Sequence, residues 1–187
     1  MTLVAVDVGG TNVRFGVAGE GGLSSVRSML CGDFPSLQAA LASYLDEAGI
    51  TASAASIAVA GPVQDAYVDV TNNHWRFDKA DLLAATGLDR LLVINDFTAQ
   101  ALAQTDPSAH GNLTLLEGAG PADAPLLVIG PGTGLGVSAL IPADDGDIPP
   151  QGEGGHVRFA PQDDAEIPLL PALSAEVRPF PAEHFGR

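Results

Sequence analysis

Three short stretches of this chain carry residue types whose spacing could do phosphate chemistry. The first is Val6-Asp7-Val8-Gly9-Gly10-Thr11-Asn12-Val13-Arg14, where an apolar strand delivers a carboxylate and then turns through two glycines. Paired glycines let the backbone take positive φ and come close to a ligand. Successive N–H groups at such a turn form a concavity suited to anions. Asp7 would repel a phosphate, but it can hold a Mg2+ that bridges to one. The same string also satisfies a plain β-hairpin with a Gly-Gly turn.

The second stretch is Asn95-Asp96, at the carboxyl end of the apolar run Leu91–Ile94. Open α/β sheets bind their ligands at that end of the strands. A helix starting at Phe97 would place its positive pole beside Asp96 and favour the ionised carboxylate. Such a group could take the proton of a hydroxyl as its oxygen attacks phosphorus. Asn95 offers a polyol both a donor and an acceptor. The competing reading of Asp96 is an ordinary helix N-cap.

The third stretch, Gly152-Glu153-Gly154-Gly155-His156, sets an acceptor and an imidazole three residues apart on a glycine-rich turn. It could grip neighbouring sugar hydroxyls, or hold a metal, for which two ligands without a cysteine or a second nearby histidine make a weak site. A solvated loop is the bland alternative. Thr71-Asn72-Asn73-His74-Trp75 carries less, since an aromatic there points to packing before ligand stacking.

Composition removes several classes of function. The formal net charge is −15, from 8 basic and 23 acidic residues, which argues against a nucleic acid or an anionic membrane as partner. Lys79 is the single lysine and lies far from any glycine loop, so a P-loop is excluded. In the glycine run 130–136, Leu135 stands where a dinucleotide fingerprint needs its third glycine. Gly9 occupies the place where an aspartyl-phosphatase pattern would want a second acid. With so little lysine, phosphate charge has to be offset by Mg2+, backbone N–H groups and an arginine. Cys31 is the only cysteine, which rules out an internal disulfide and a cysteine zinc cluster. Neither a basic leader nor an apolar stretch of membrane length is present, so the expected compartment is the cytoplasm.

The elements that must position these residues follow from periodicity and punctuation. Residues 3–8 and 12–18 read as a hairpin, and 25–31 as a third strand. Pro35 opens an amphipathic helix with Leu37, Leu41, Tyr44 and Leu45 on one face, closed by Gly49. Residues 56–60 and 67–70 read as strands, and 78–86 as a helix with Asp78 as N-cap and Gly87 as stop. The continuous apolar run 91–94 reads as a strand covered on both faces, feeding a helix from Phe97 to about Gln104. That order predicts an α/β fold with a mixed sheet. Residues 117–125 form a Gly/Pro/Ala linker, so the expected domains are 1–118 and 124–187. Beyond the linker, 126–129 and 136–141 repeat the opening design around Gly130-Pro131-Gly132-Thr133-Gly134. Prolines crowd the region after residue 161, leaving room for one short helix near 170–177.

Six strings, DVGGTNVR (7–14), AGPV (60–63), TNNHWRF (71–77), INDFTAQA (94–101), GPGTGLGV (130–137) and GEGGHVRFAP (152–161), come in the order found in bacterial glucokinases. The chain resembles that family, of the hexokinase–actin type of sugar kinases. The zinc-binding cysteine cluster of the repressor/kinase branch is missing, so the resemblance is to the other branch. It implies an actin-like, ribonuclease-H-like lobe with a mixed five-stranded sheet and flanking helices, plus the start of a second, similar lobe that stays incomplete. It implies ATP-dependent phosphorylation of glucose at the 6-hydroxyl, the entry to glycolysis, with ATP and Mg2+ as cofactors. Val6, Asp7, Val8, Gly9, Gly10 and Thr11 match the nucleotide phosphate loop, Asp7 lying near Mg2+. Thr133 and Gly134 match the second-lobe glycine loop near the transferred phosphate. Asp96 matches the catalytic base, and Asn95, Asp96, Glu153 and His156 match glucose contacts. A homodimer is typical of such proteins. Members of the family continue well beyond residue 187, through a Gly-Gly segment that holds adenosine; Glu183 lies near an expected further sugar ligand but its register is not fixed. The expectation is that the 187 residues alone bind glucose weakly and phosphorylate it poorly or not at all. The alternative is a non-catalytic sugar-binding or regulatory module derived from a sugar kinase.

Overall fold

Val4, Val6 and Val8 alternate with Leu3, Ala5 and Asp7, so a strand through them has one apolar face to bury. In the structure, a computed structural model, that face carries the core. The structure describes residues 2–63, 66–106, 118, 120–121, 123–131, 135–150, 152, 154–156 and 160–168. The chain divides into two compact units, Met1–Ala99 and Gln100–Arg187.

In chain order the elements are β1 (Leu3–Val8), β2 (Asn12–Gly19), β3 (Gly22–Leu30), α1 (Leu37–Ala48), β4 (Ala54–Val59), β5 (Tyr67–Asp69), β6 (Arg76–Asp78), α2 (Lys79–Thr86), β7 (Arg90–Asn95), α3 (Asp96–Ala103), β8 (Leu126–Pro131) and β9 (Leu135–Leu140). Five strands form one mixed sheet in the order β3-β2-β1-β4-β7. The β1–β2 and β2–β3 pairs are antiparallel, whereas β1–β4 and β4–β7 are parallel. This is the α/β class and the five-stranded mixed sheet expected from the sequence.

Register puts Phe15, Val6, Ile57 and Val93 side by side on one face, and all four are buried. Leu37, Ala40, Leu41 and Tyr44 of α1 and Leu82 of α2 join them in a single core cluster. Phe15 and Tyr44 stack with ring centroids 4.8 Å apart, and the Tyr44 hydroxyl donates to the carbonyl of Ser25. α1 starts two residues later than Pro35 suggests, because Ser36 is the N-cap and accepts from the N–H of Ala39. Gly49 ends it at φ +64°, the left-handed region that glycine enters at little cost. Asp78 caps α2 as expected.

Two expectations change. Strand β7 is not covered on both faces: it lies at the sheet edge, and Leu92 is 54% exposed while Val93 points into the core. A continuous apolar run shows that a strand can be buried twice, but the second layer has to be present. The three-residue β6, which pairs antiparallel with β5, was not foreseen. In the second unit β8 and β9 form the expected antiparallel hairpin. The helix expected near 170–177 lies outside the described residues. Among the described residues no helix is long and apolar enough to cross a membrane.

Candidate functional site

The parallel strands β1, β4 and β7 end together, since Val8, Val59 and Asn95 are register partners. Whatever follows each strand therefore emerges at one edge of the sheet: the Gly9-Gly10-Thr11 turn, the Ala60-Gly61-Pro62 turn, and Asp96 at the start of α3.

The glycine turn is held by four hydrogen bonds, one of them from the Cys31 thiol, whose Sγ donates to the carbonyl of Gly9 at 3.8 Å. The N–H of Gly9 donates to the carbonyl of Asn12 at 2.9 Å, and the N–H of Cys31 donates to that of Thr11 at 2.9 Å. Asn73 Nδ2 donates to the carbonyl of Gly9 at 2.9 Å. Gly10 packs on the same loop: a Cβ there would stand 3.1 Å from the carbonyl oxygen of Asn72. The outer side of Gly10 and Thr11 borders a depression of about 630 Å3, walled by Cys31–Asp33 and Asn72–His74. Cys31 itself is buried, and burial pushes its thiol pKa up.

Asp7 lies two residues before the turn, on the sheet face opposite the core. Its carboxylate pairs with Arg14 at 2.8 Å, both side chains being about half exposed or more. Asp7 and Arg14 are direct register partners across the hairpin. Sequence reasoning asked for an arginine near the phosphates without naming one; counting back from the Gly-Gly turn singles out Arg14.

At the start of α3 the capping bonds fall mainly on the neighbour of Asp96. Asn95 is the residue that caps α3: its Oδ1 accepts from the N–H groups of Phe97 at 2.9 Å and Thr98 at 3.1 Å. Asn95 Nδ2 donates to the carbonyl of Gly61 and to Asp96 Oδ1. Asp96 Oδ1 also accepts from the N–H of Phe97. Both of these bonds fall on Oδ1. Burial pushes the Asp96 carboxyl above the ordinary aspartate range, and the negative charge of Asp7 pushes the same way. The N–H of Phe97 and the amide of Asn95 oppose that rise. The structure brings Asp7, the glycine turn, Asn95 and Asp96 to one edge.

The Gly61 turn is part of the same construction. Gly61 adopts φ +124°, and a Cβ there would lie 2.7 Å from Thr71 Oγ1. The N–H of Thr71 donates to the carbonyl of Ala60. So the loop 71–75 touches both the Gly61 turn and the glycine turn. Trp75 is packing, as its type suggested: it is 1% exposed and its Nε1 donates to the carbonyl of Phe34. Asn73 was missed as a site residue. Its one sequence signal is its place two residues before a buried tryptophan, where an Asn side chain can close an Asx-turn.

The other expected site residues belong to the second unit. Gly154–His156 form a short 3-10 turn. A Cβ on Gly154 would meet Val137 Cβ at 2.7 Å, so the turn is pressed against β9. Thr133, Gly134 and Glu153, and also Glu183, lie outside the described residues.

A family model described as glucokinase matches residues 3–185 of the chain. The chain is 42% identical over 172 residues to a glucokinase of Marinobacter nauticus, covering 90% of this chain and 54% of that protein. Among solved structures, a glucokinase from an Antarctic psychrotroph superposes with a TM-score of 0.81 at 30% identity, covering 97% of this chain and 59% of the other. A ROK family glucokinase from Streptomyces griseus, in complex with glucose and AMPPNP, gives a TM-score of 0.58 at 26% identity over 88% of this chain and 53% of its own. The chain therefore spans about half the length of the relatives it matches. By fold, by the sheet-edge arrangement just described and by these matches, the chain belongs to the glucokinase family.

Proposed function

We propose that the native protein transfers the γ-phosphoryl group of ATP to the 6-hydroxyl of glucose. The observation that carries this reading is the position of Asp96. It sits at a helix N-terminus at the edge where the strands leading to Asp7 and the glycine turn also end, and the bonds from Asn95 and Phe97 both fall on Oδ1. Glucose and an ATP analogue as ligands of the Streptomyces griseus relative support the choice of sugar and donor.

In this mechanism the N–H groups of the Gly9–Thr11 turn hold the phosphates. Arg14 adds positive charge beside them. Asn95 fixes the start of α3 and, through its bond to Asp96 Oδ1, the angle of the carboxylate. Asp96 Oδ2 accepts the proton of the sugar hydroxyl as the O6–P bond forms and the bond to the β-phosphate oxygen breaks, the electron pair leaving with ADP. Rate comes chiefly from alignment and electrostatics. Asp7 suits Mg2+, which takes one or two carboxylates and completes its shell with phosphate oxygens and water. Bound there, the ion would neutralise phosphate charge. Asn95, Asp96, Glu153 and His156 are the proposed sugar contacts, and Thr133 and Gly134 the second glycine loop, in a second lobe of like design. A cytoplasmic compartment and a homodimer belong to the same proposal.

Asp96→Asn tests it. The amide keeps the shape of the side chain but cannot take the proton. Turnover should fall by about 10²–10⁴-fold with little change in the glucose dissociation constant. Turnover within a few-fold of wild type would remove Asp96 from the mechanism. Glucose binding without ATP turnover in the wild type would point to a sugar-binding module instead.

A further inference from the structure

We propose that Asn73 is a positioning residue for the phosphate turn, aiming the Gly10 N–H at the nucleotide from outside the turn's own sequence. This inference rests on the reading of Gly9–Thr11 as the phosphate site. Asn73 Nδ2 holds the carbonyl oxygen of Gly9 at 2.9 Å. Gly9 C=O and Gly10 N–H belong to one peptide unit, which is planar and trans, so the two bonds point in opposite directions. Fixing the oxygen toward Asn73 therefore fixes the N–H away from it. The Cys31 thiol also reaches that oxygen, at 3.8 Å, but sulfur is a weak donor, so Asn73 makes the stronger bond on a peptide that glycines on both sides leave free to turn.

The orientation of the Asn73 amide is settled by its second contact. Its Oδ1 accepts from the N–H of Trp75 at 3.0 Å. An N–H can only donate and a carbonyl can only accept, so swapping the amide atoms would break both bonds. Trp75, buried and tied to Phe34, anchors the loop from behind. The loop also presses on Gly10 through Asn72. The clamp thus runs from a buried tryptophan, through one amide, to one peptide of the turn. Neither Asp nor Ser can replace that amide. Asp keeps an acceptor for Trp75 but turns a carboxylate oxygen toward the Gly9 carbonyl. Ser can close the local turn to Trp75 but is too short to carry a donor to Gly9.

The experiment measures MgATP and glucose dissociation constants by calorimetry for the wild type, Asn73→Ser and Asn73→Asp in the native protein. The emission of Trp75, the only tryptophan, and the thermal midpoint report whether each variant is folded. Asn73→Ser should weaken MgATP about five-fold, as expected for one lost hydrogen bond, and leave glucose within two-fold. Asn73→Asp should weaken MgATP further, again sparing glucose. A folded Asn73→Ser with MgATP affinity within two-fold of wild type would overturn the proposal. Parallel weakening of both ligands would overturn it too, since that marks general destabilisation. If Asn73→Ser does not fold, Asn73→Asp is judged by the same split. A wild type that binds glucose but not MgATP would instead sink the nucleotide reading on which the proposal stands.

Discussion

The two glycine-punctuated hairpins share a sequence design and differ in what lies around them. In β1–β2 an apolar strand runs into Gly9-Gly10; in β8–β9 another runs into the glycine run that begins at Gly130. Along β1, Val4, Val6 and Val8 are each at most 4% exposed. Along β8, Leu127 is 60% and Ile129 56% exposed. The first hairpin sits inside a five-stranded sheet with α1 and α2 packed on it; the second is a two-stranded sheet among the described residues. Alternation shows which side chains share a face, and the layers placed on that face decide whether they leave water. A two-stranded ribbon is marginal by itself. The stable scaffold beneath Asp7 and Asp96 is therefore the first unit's sheet.

The sharpest test of that contrast is Phe15→Ala. Phe15 is 1% exposed, stacks on Tyr44 and neighbours Val6 in register. Removing the ring should cost about 3–5 kcal/mol in urea unfolding, through lost burial and the cavity left behind. A loss below about 1 kcal/mol would mean that the layer between sheet and α1 is not the stability centre.

The sequence makes the first unit legible for the reason that comparison gives. Its strands alternate cleanly, Gly49 and Gly87 stop helices in the left-handed conformation, and Asp78 reads as a cap and is one. Hairpin counting reaches Arg14 opposite Asp7. Two features resisted. Strand β6 has three residues, and its last, Asp78, also caps α2, so it leaves no periodic signal. The Leu91–Ile94 run is apolar throughout and hides which residue faces the core; only the edge position shows that Leu92 does not. The shared edge of Asp7, Asn95 and Asp96 is legible because each lies at or next to the end of an apolar strand in the string. Asn73 is not, because its partner Gly9 lies 64 residues away and the contact exists only once the fold has formed.

A smaller effect should come from the charge of Asp96 and runs against function. Its pKa is raised in the fold by burial first and by Asp7 among the further causes. A raised pKa gives a stability contribution that is complete below the ordinary aspartate value and lost as pH rises through the folded one. The ionised Asp96 carboxylate thus destabilises the first unit at neutral pH. Asp96→Asn should melt at a higher temperature than wild type at pH 7, and the gap should close below about pH 3, where both side chains are neutral. An unchanged or lower midpoint at pH 7 would show that the hydrogen bonds from Phe97 and Asn95 outweigh burial. The acid limb of wild-type turnover should likewise lie above that of an unperturbed aspartate.

The smallest effect belongs to the second hairpin. Leu127 pairs with Ala139 in the ladder but leaves most of its side chain in water, with Leu126 and Ile129 also exposed on the same strand. Replacing it with Ser removes apolar surface that never gained much from folding, so Leu127→Ser should change unfolding stability by no more than about 0.5 kcal/mol. Solubility should rise instead, because an exposed apolar strand in a short sheet is a template for association. Light scattering on concentrated samples would detect that gain. A destabilisation above about 2 kcal/mol would place Leu127 in a buried setting in solution, and the contrast between the two hairpins would then reduce to one of sequence alone.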